Sequence, residues 1–327
     1  DPRIQADISI APAWRGVAYL VFYDLPLERY GNSLMGAQVR AEIVANGTPD
    51  IWPYTIRTMP NQVNYGRTAW NGAIYCSFGS ATTKCHTSPD GITWTEHDLG
   101  ATYSCWSLIA VGNVFYAACS FYILRSEDGI AWTQVTPYRP HYYTAIAWSG
   151  SKFLVAADSQ PWLSSTDGIT WVQQTAPGTV LGLGAGSYGR TLAWNGSVFV
   201  TMTKFGGLRI LTSPDGDSWT HTFTAGGGGW EEIAVLGQRF CLTSNGQYLV
   251  LVSDDGVVWD MYAMPSNHVN SICAGDGLFF CTDQGQYHIS ADGINWDSYS
   301  FPYAGVTYGG AAWNGAWFAV TSPSPSA

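Results

Sequence analysis

Ser88-Pro89-Asp90-Gly91-Ile92-Thr93-Trp94 decides how this chain is read, because its pattern, Ser-x-Asp-Gly-x-x-Trp, returns five more times. The copies run from Ser126 to Trp132, Ser165 to Trp171, Ser213 to Trp219, Ser253 to Trp259 and Ser290 to Trp296. Successive Trp residues are 38, 39, 48, 40 and 37 positions apart. A period of about 40 residues is that of one four-stranded propeller blade. Each copy has a mechanical reading. The Asp carboxylate accepts backbone N–H groups across a tight turn, the Gly supplies a backbone angle that other residues reach only with strain, and the Ser hydroxyl closes the turn from the other side. The Trp, on the following strand, is expected to fill the wedge between neighbouring sheets. Asp90, Asp128, Asp167, Asp215, Asp255 and Asp292 are therefore expected to be structural turn residues, since a carboxylate tied to backbone donors is a poor proton shuttle.

A second signature alternates with the first. Ala69-Trp70-Asn71-Gly72 recurs as Ala147-Trp148-Ser149-Gly150, Ala193-Trp194-Asn195-Gly196 and Ala312-Trp313-Asn314-Gly315, with weaker copies ending at Gly112, Gly237 and Gly277. Asn-Gly between apolar runs is a hairpin signal. Each unit thus reads as inner hairpin, crossing loop, outer hairpin, with blades at about 65–103, 104–141, 142–187, 188–228, 229–267 and 268–304.

The two ends carry half-units. Before the first full unit, the alternation from Gln38 to Ile43, the turn Asn46-Gly47-Thr48-Pro49-Asp50 and Trp52, which precedes Trp94 by 42 residues, read as a worn outer hairpin. After the last, only an inner hairpin remains. Joining 37–60 to 305–323 would close a seventh blade and remove the open sheet edges. The expectation is an all-β, seven-bladed propeller over 37–327, with a six-bladed ring as the alternative.

Composition narrows the function classes. Fourteen basic residues against 24 acidic ones give a net charge of −10, and the basic residues are scattered, so nucleic acid is not expected as a partner. The run Val17 to Phe22 is too short to cross a bilayer, and no membrane insertion is expected. Seven cysteines without a C-x-x-C spacing read as buried free thiols, although a disulfide such as Cys76 with Cys85 stays open. No cofactor and no metal site is expected. The chain starts at Asp1 without a leader, which reads as a processed or excised chain, and Ser322 to Ala327 reads as a linker.

Residues 1–36 lack the repeat and read as one strand, Val17 to Tyr23, ended by a Pro turn. The stretch Ala13-Trp14-Arg15-Gly16-Val17-Ala18-Tyr19-Leu20-Val21-Phe22-Tyr23-Asp24-Leu25-Pro26-Leu27, followed by Tyr30-Gly31-Asn32, resembles a segment of the hub or tail-tip proteins of long-tailed phages and gene transfer agents. Ser33-Leu34-Met35-Gly36 stand where that family has Arg-Ile-Pro. The remainder resembles the Asp-box repeats of propellers in phage tail proteins. The resemblance implies a virion component at the tail tip or baseplate, assembled in the bacterial cytoplasm. Residues 1–36 would be the tail-docking segment, the chain would be oligomeric within the virion, and its partners would be other tail proteins and a host surface glycan or outer-membrane receptor.

In such a ring both repeated turns lie on one face, so binding is expected from the variable loops on the other. The candidate glycan face is Tyr138, Arg139, His141 and Tyr142, with Trp162, Phe205 and Trp230: aromatic rings stack on sugar C–H faces while polar neighbours meet the hydroxyls. The chain is not expected to be an enzyme. No G-x-S-x-G, H-E-x-x-H or phosphate loop is present. Arg67 and Arg190 lack the third partner of a sialidase-like cluster, and neighbours such as Glu231 and Glu232 point to opposite faces of a strand. Three functions follow as hypotheses: a receptor-binding tail-tip protein, a structural collar, or a glycan-cleaving propeller.

Overall fold

The computed structural model describes residues 67–79, 81–137, 142–158, 161–177, 188–203, 208–225, 229–301, 310–316 and 318–320, all within the compact unit Arg57–Ala327. The N-terminal segment 1–36 and the expected hairpin 37–60 lie outside these residues.

Every named element is a strand, and six antiparallel four-stranded sheets follow one another in sequence order. Blade 1 is β1 (Arg67–Trp70), β2 (Tyr75–Phe78), β3 (Thr82–Ser88) and β4 (Thr95–Tyr103); blade 2 is β5 (Cys105–Val111), β6 (Val114–Cys119), β7 (Ile123–Ser126) and β8 (Thr133–Gln134). Blade 3 is β9 (Tyr143–Trp148), β10 (Phe153–Ala157), β11 (Trp162–Ser165) and β12 (Val172–Gln174); blade 4 is β13 (Tyr188–Trp194), β14 (Phe199–Thr203), β15 (Leu208–Ser213) and β16 (Thr220–Ala225). Blade 5 is β17 (Trp230–Leu236), β18 (Arg239–Ser244), β19 (Leu249–Ser253) and β20 (Asp260–Ala263); blade 6 is β21 (Ser271–Gly275), β22 (Leu278–Thr282), β23 (Gln286–Ser290) and β24 (Asp297–Ser300).

The protein is a β-propeller. Its complete blades number six among the described residues, the count given above as the alternative. A further two-stranded sheet, β25 (Ala311–Trp313) and β26 (Phe318–Val320), follows blade 6. Strand β25 packs against both β21 and β1, so the innermost strands form a closed circuit. Phe318 stacks on Phe280 with ring centroids 4.7 Å apart, and Ala311 N donates to Ser271 Oγ at 3.2 Å. Gly275 lies directly under the Trp313 ring, where any Cβ would collide with it.

Burial explains the sequence pattern. The second strands, such as β2 and β10, are buried on both faces, because each is covered by a blade on either side; they read as continuous apolar runs rather than alternating ones. The outermost strands, such as β4 and β12, are largely exposed. The core therefore lies in the wedges between blades, and the repeat Trp residues bridge them. Trp132 of blade 2 meets Phe78 of blade 1 edge-on at 4.7 Å, and Trp219 of blade 4 meets Trp162 of blade 3 edge-on at 5.9 Å.

Candidate functional site

Two faces follow from the antiparallel order: one carries the turns joining strands one to two and three to four of each blade, the other the crossing and blade-joining loops. On the first face all six Asp turns share one bonding scheme. Each Ser Oγ accepts the Gly N–H at 2.8–2.9 Å and donates to Asp Oδ1 at 2.9–3.2 Å. That oxygen also accepts two backbone N–H groups at 2.7–2.9 Å. In five turns the Trp Nε1 donates to the Gly carbonyl at 3.0–3.1 Å; in blade 3 the buried Trp171 Nε1 has no such partner.

These donors set the charge. Backbone N–H groups hold Asp90, Asp167, Asp215 and Asp255 below the ordinary carboxylate range, Asp215 at about 2. At Asp128 and Asp292 burial pushes upward and the same donors outweigh it, leaving Asp292 at about 2. Side chains also tie the turns of one blade to the next. Asn195 Nδ2 donates to the carbonyls of Gln238 and Asp254 at 2.9 and 3.3 Å, Lys152 Nζ reaches Asp217 Oδ1 at 2.6 Å, and Arg239 Nη1 reaches the Asp292 carbonyl at 3.0 Å. The serine hydroxyl and the Asp Oδ1 of all six turns are engaged in holding the turn.

The second face differs from blade to blade. Between blades 2 and 3, Tyr142 packs against Phe121 with centroids 5.3 Å apart and the rings tilted by 33°, and its backbone N donates to Asp158 Oδ1 at 3.0 Å. Tyr142 is 46% exposed. The aromatic surface continues inward: Tyr122 meets Tyr103 at 6.2 Å, Gln134 Nε2 donates to Tyr103 Oη at 2.9 Å, and Trp106 Nε1 donates to Ser120 Oγ at 3.2 Å. Tyr142 thus stands where the sequence placed it, with Phe121 as its neighbour. Tyr138, Arg139, His141 and Phe205 lie outside the described residues, as does the side chain of Trp230, whose backbone starts β17.

Trp162 is a correction. It starts β11, is 1% exposed and packs in the core against Trp219, so it offers no ring to a ligand. The register of the repeat carries the missing signal. Three positions before each turn serine stand Cys85, Ile123, Trp162, Ile210, Val250 and Tyr287, all buried.

The central bore holds a contact that sequence reasoning missed. Arg67 Nη2 lies 2.8 Å from Glu232 Oε1, with both side chains nearly buried, at 14% and 12% exposure. Arg67 is on β1 and Glu232 on β17, the innermost strands of blades 1 and 5, which are not neighbours in the ring. The pair therefore spans the bore. Glu232 is paired with a guanidinium. All seven cysteines are free, and burial pushes the Cys85 thiol up to about 12, which leaves it unreactive. Among the described residues no group of His, Cys, Asp and Glu has the makings of a metal site.

No family model and no curated protein matches the chain. Solved structures do match. A streptogramin B lyase aligns with a TM-score of 0.64 at 11% identity, covering 80% of this chain and 94% of that one. YCF48 bound to D1 peptide gives 0.60 at 16% identity, covering 78% and 88%. The nidogen component of a nidogen–laminin complex gives 0.53 at 12%, covering 68% and 92%. At these identities the likeness is one of fold.

Proposed function

We propose that this chain is a tail-tip or baseplate component of a phage-like particle whose propeller binds a cell-surface glycan through the face opposite the Asp turns. The observation that carries the reading is the Phe121–Tyr142 pair, half-exposed on the divergent face and continued by Tyr103, Tyr122 and Trp106. Such a surface matches the C–H faces of sugar rings, with Asp158 and Gln134 nearby for hydroxyls. The N-terminal resemblance to hub proteins supplies the particle. Two of the similar structures are propellers solved with a peptide or a protein bound, so the fold itself lends a face to recognition.

One observation favours a second reading, the structural collar. The residue after each Asp-Gly is an exposed apolar side chain in four blades, Ile92, Ile130, Ile169 and Val257, which puts greasy tips around the Asp-turn face. Adsorption of the purified chain to host cells and to their isolated surface polysaccharide separates the two. Saturable binding that competes with whole particles supports the glycan reading. Particles that adsorb normally while the purified chain neither binds nor competes would leave the collar.

A further inference from the structure

Two positions before the turn serine, blades 2 to 5 carry Leu124, Leu163, Leu211 and Leu251, all buried. Blades 1 and 6 carry His86 and His288 there, equally buried. An imidazole in a leucine slot is costly unless both nitrogens are paired. Blade 6 pairs both. His288 Nδ1 is 2.8 Å from Ser298 Oγ, and Nε2 is 3.1 Å from Asp283 Oδ2. Ser298 stands directly opposite His288 in the β23–β24 ladder, and Asp283 is fixed in the preceding turn by the Gln286 N–H at 2.8 Å. In blade 1 the residue opposite His86 is Glu96, which has no hydroxyl.

Exposure sorts the three roles. His288 and Asp283 are buried, whereas Ser298 faces solvent. Side chains two apart on a strand share a face, so Ser298 points the same way as Trp296. With Tyr262, Met264, Pro265, Ile294 and Asp297, the residue next to Ser298, Trp296 lines an open groove of about 570 Å³ between blades 5 and 6.

We propose that Ser298, His288 and Asp283 form a nucleophile relay for acyl transfer, and that the adjoining groove receives the apolar part of a carboxylic ester. Asp283 Oδ2 accepts a hydrogen bond from His288 Nε2–H and so fixes the tautomer, leaving Nδ1 to accept one from the Ser298 O–H. Ser298 Oγ attacks the ester carbonyl carbon as its proton passes to Nδ1. When the intermediate collapses, the ester C–O bond breaks and the proton goes from Nδ1 to the departing alkoxide, releasing alcohol and leaving an acyl-serine. A water, deprotonated by the same nitrogen, then cleaves the acyl-serine to the carboxylic acid and restores Ser298. Burial works against the charge on Asp283, yet the bonds from His288 and Ser266 hold it below its ordinary range, so the carboxylate that steadies the imidazolium is ionised. The relay belongs to blade 6, whereas the Phe121–Tyr142 contact lies between blades 2 and 3, and it goes beyond that reading.

The full chain is treated with an alkyl fluorophosphonate and with 4-nitrophenyl butyrate. The expected result is a single phosphonyl adduct that peptide mapping places on Ser298, with nitrophenol release that Ser298→Ala abolishes. His288→Leu installs the residue that four other blades carry in this slot, so the fold is kept, as circular dichroism will show, while labelling falls about 100-fold or more. Asp283→Asn acts through His288. It should lower kcat for the nitrophenyl ester and leave KM unchanged, because Asp283 holds the imidazole that meets the Ser298 hydroxyl and does not touch the substrate. The proposal is overturned by absence of an adduct at Ser298, by equal labelling of His288→Leu, which would make Ser298 merely an exposed hydroxyl, or by an Asp283→Asn variant whose kcat is unchanged.

Discussion

The two faces of the ring are built on opposite principles. On one, a seven-residue pattern produces the same hydrogen bonds six times, with distances that vary by a few tenths of an ångström. On the other, the tilted pair of Phe121 and Tyr142 belongs to a single blade junction. A bonding scheme repeated in all six blades serves what every blade needs, a closed turn joined to its neighbour. Among the described residues that contact is made once, and a contact that the repeat does not require is where the proposed binding surface is sought.

The contrast is broken most severely at the seam. Removing residues 310–327 takes away the strand that packs on both β21 and β1, with the Phe318–Phe280 stack, and uncovers the facing sides of blades 1 and 6. Losing one such aromatic contact alone costs about 3 kcal/mol or more. We expect urea unfolding followed by circular dichroism to lose its single cooperative transition, whereas a truncated chain that melts like the intact one would contradict ring closure.

Next comes the pair across the bore. Arg67→Ala leaves Glu232 charged and nearly buried, which should cost about 3 kcal/mol in the urea midpoint. Glu232→Leu made together with Arg67→Met should recover most of that loss, because it removes both charges. A double change that costs as much as Arg67→Met and Glu232→Leu made singly and added together would mean that the pair carries no coupling.

A smaller loss tests the repeated face. The Ser213 hydroxyl is fully buried and bonds both Gly216 N–H and Asp215 Oδ1, so Ser213→Ala should cost about 1–2 kcal/mol and leave ligand binding unchanged. Acid reads the six turns together. An unfolded Asp titrates near about 3.9, while Asp215 and Asp292 in the fold titrate at about 2. A depressed folded value means the stabilisation is full above the unfolded value and is lost as pH falls through the folded one. The urea midpoint should therefore hold down to about pH 4.5 and fall steadily between about pH 4 and pH 2. A midpoint flat over that window would show that the Asp turns bear no stability.

The repeated face was legible because each turn is local. The bonds that close the turn at Ser213, Asp215 and Gly216 join residues within three positions of one another, so spacing alone carried the geometry. Trp162 was misplaced because a strand of four residues, β11, begins at once after the crossing loop, and a Pro-Trp step looks like loop until the repeats are aligned on their serines. The Arg67–Glu232 contact joins positions 165 apart; no local pattern encodes it, and only the curvature of the closed ring brings the two strands to face each other. Ser298, His288 and Asp283 lie within one blade, yet their meeting depends on ladder register rather than on any short motif.

The central claim is that recognition belongs to the divergent face and not to the repeated one. It is tested most directly by measuring binding of the purified chain to isolated host surface polysaccharide, with Tyr142→Ala compared against Ser213→Ala at matched folded fraction. Tyr142→Ala should leave the urea midpoint unchanged, since the ring is half-exposed, and weaken binding by about 1–3 kcal/mol, while Ser213→Ala binds like the unaltered chain. The reverse pattern, with binding lost in Ser213→Ala and kept in Tyr142→Ala, would contradict the account and move the functional surface to the Asp turns.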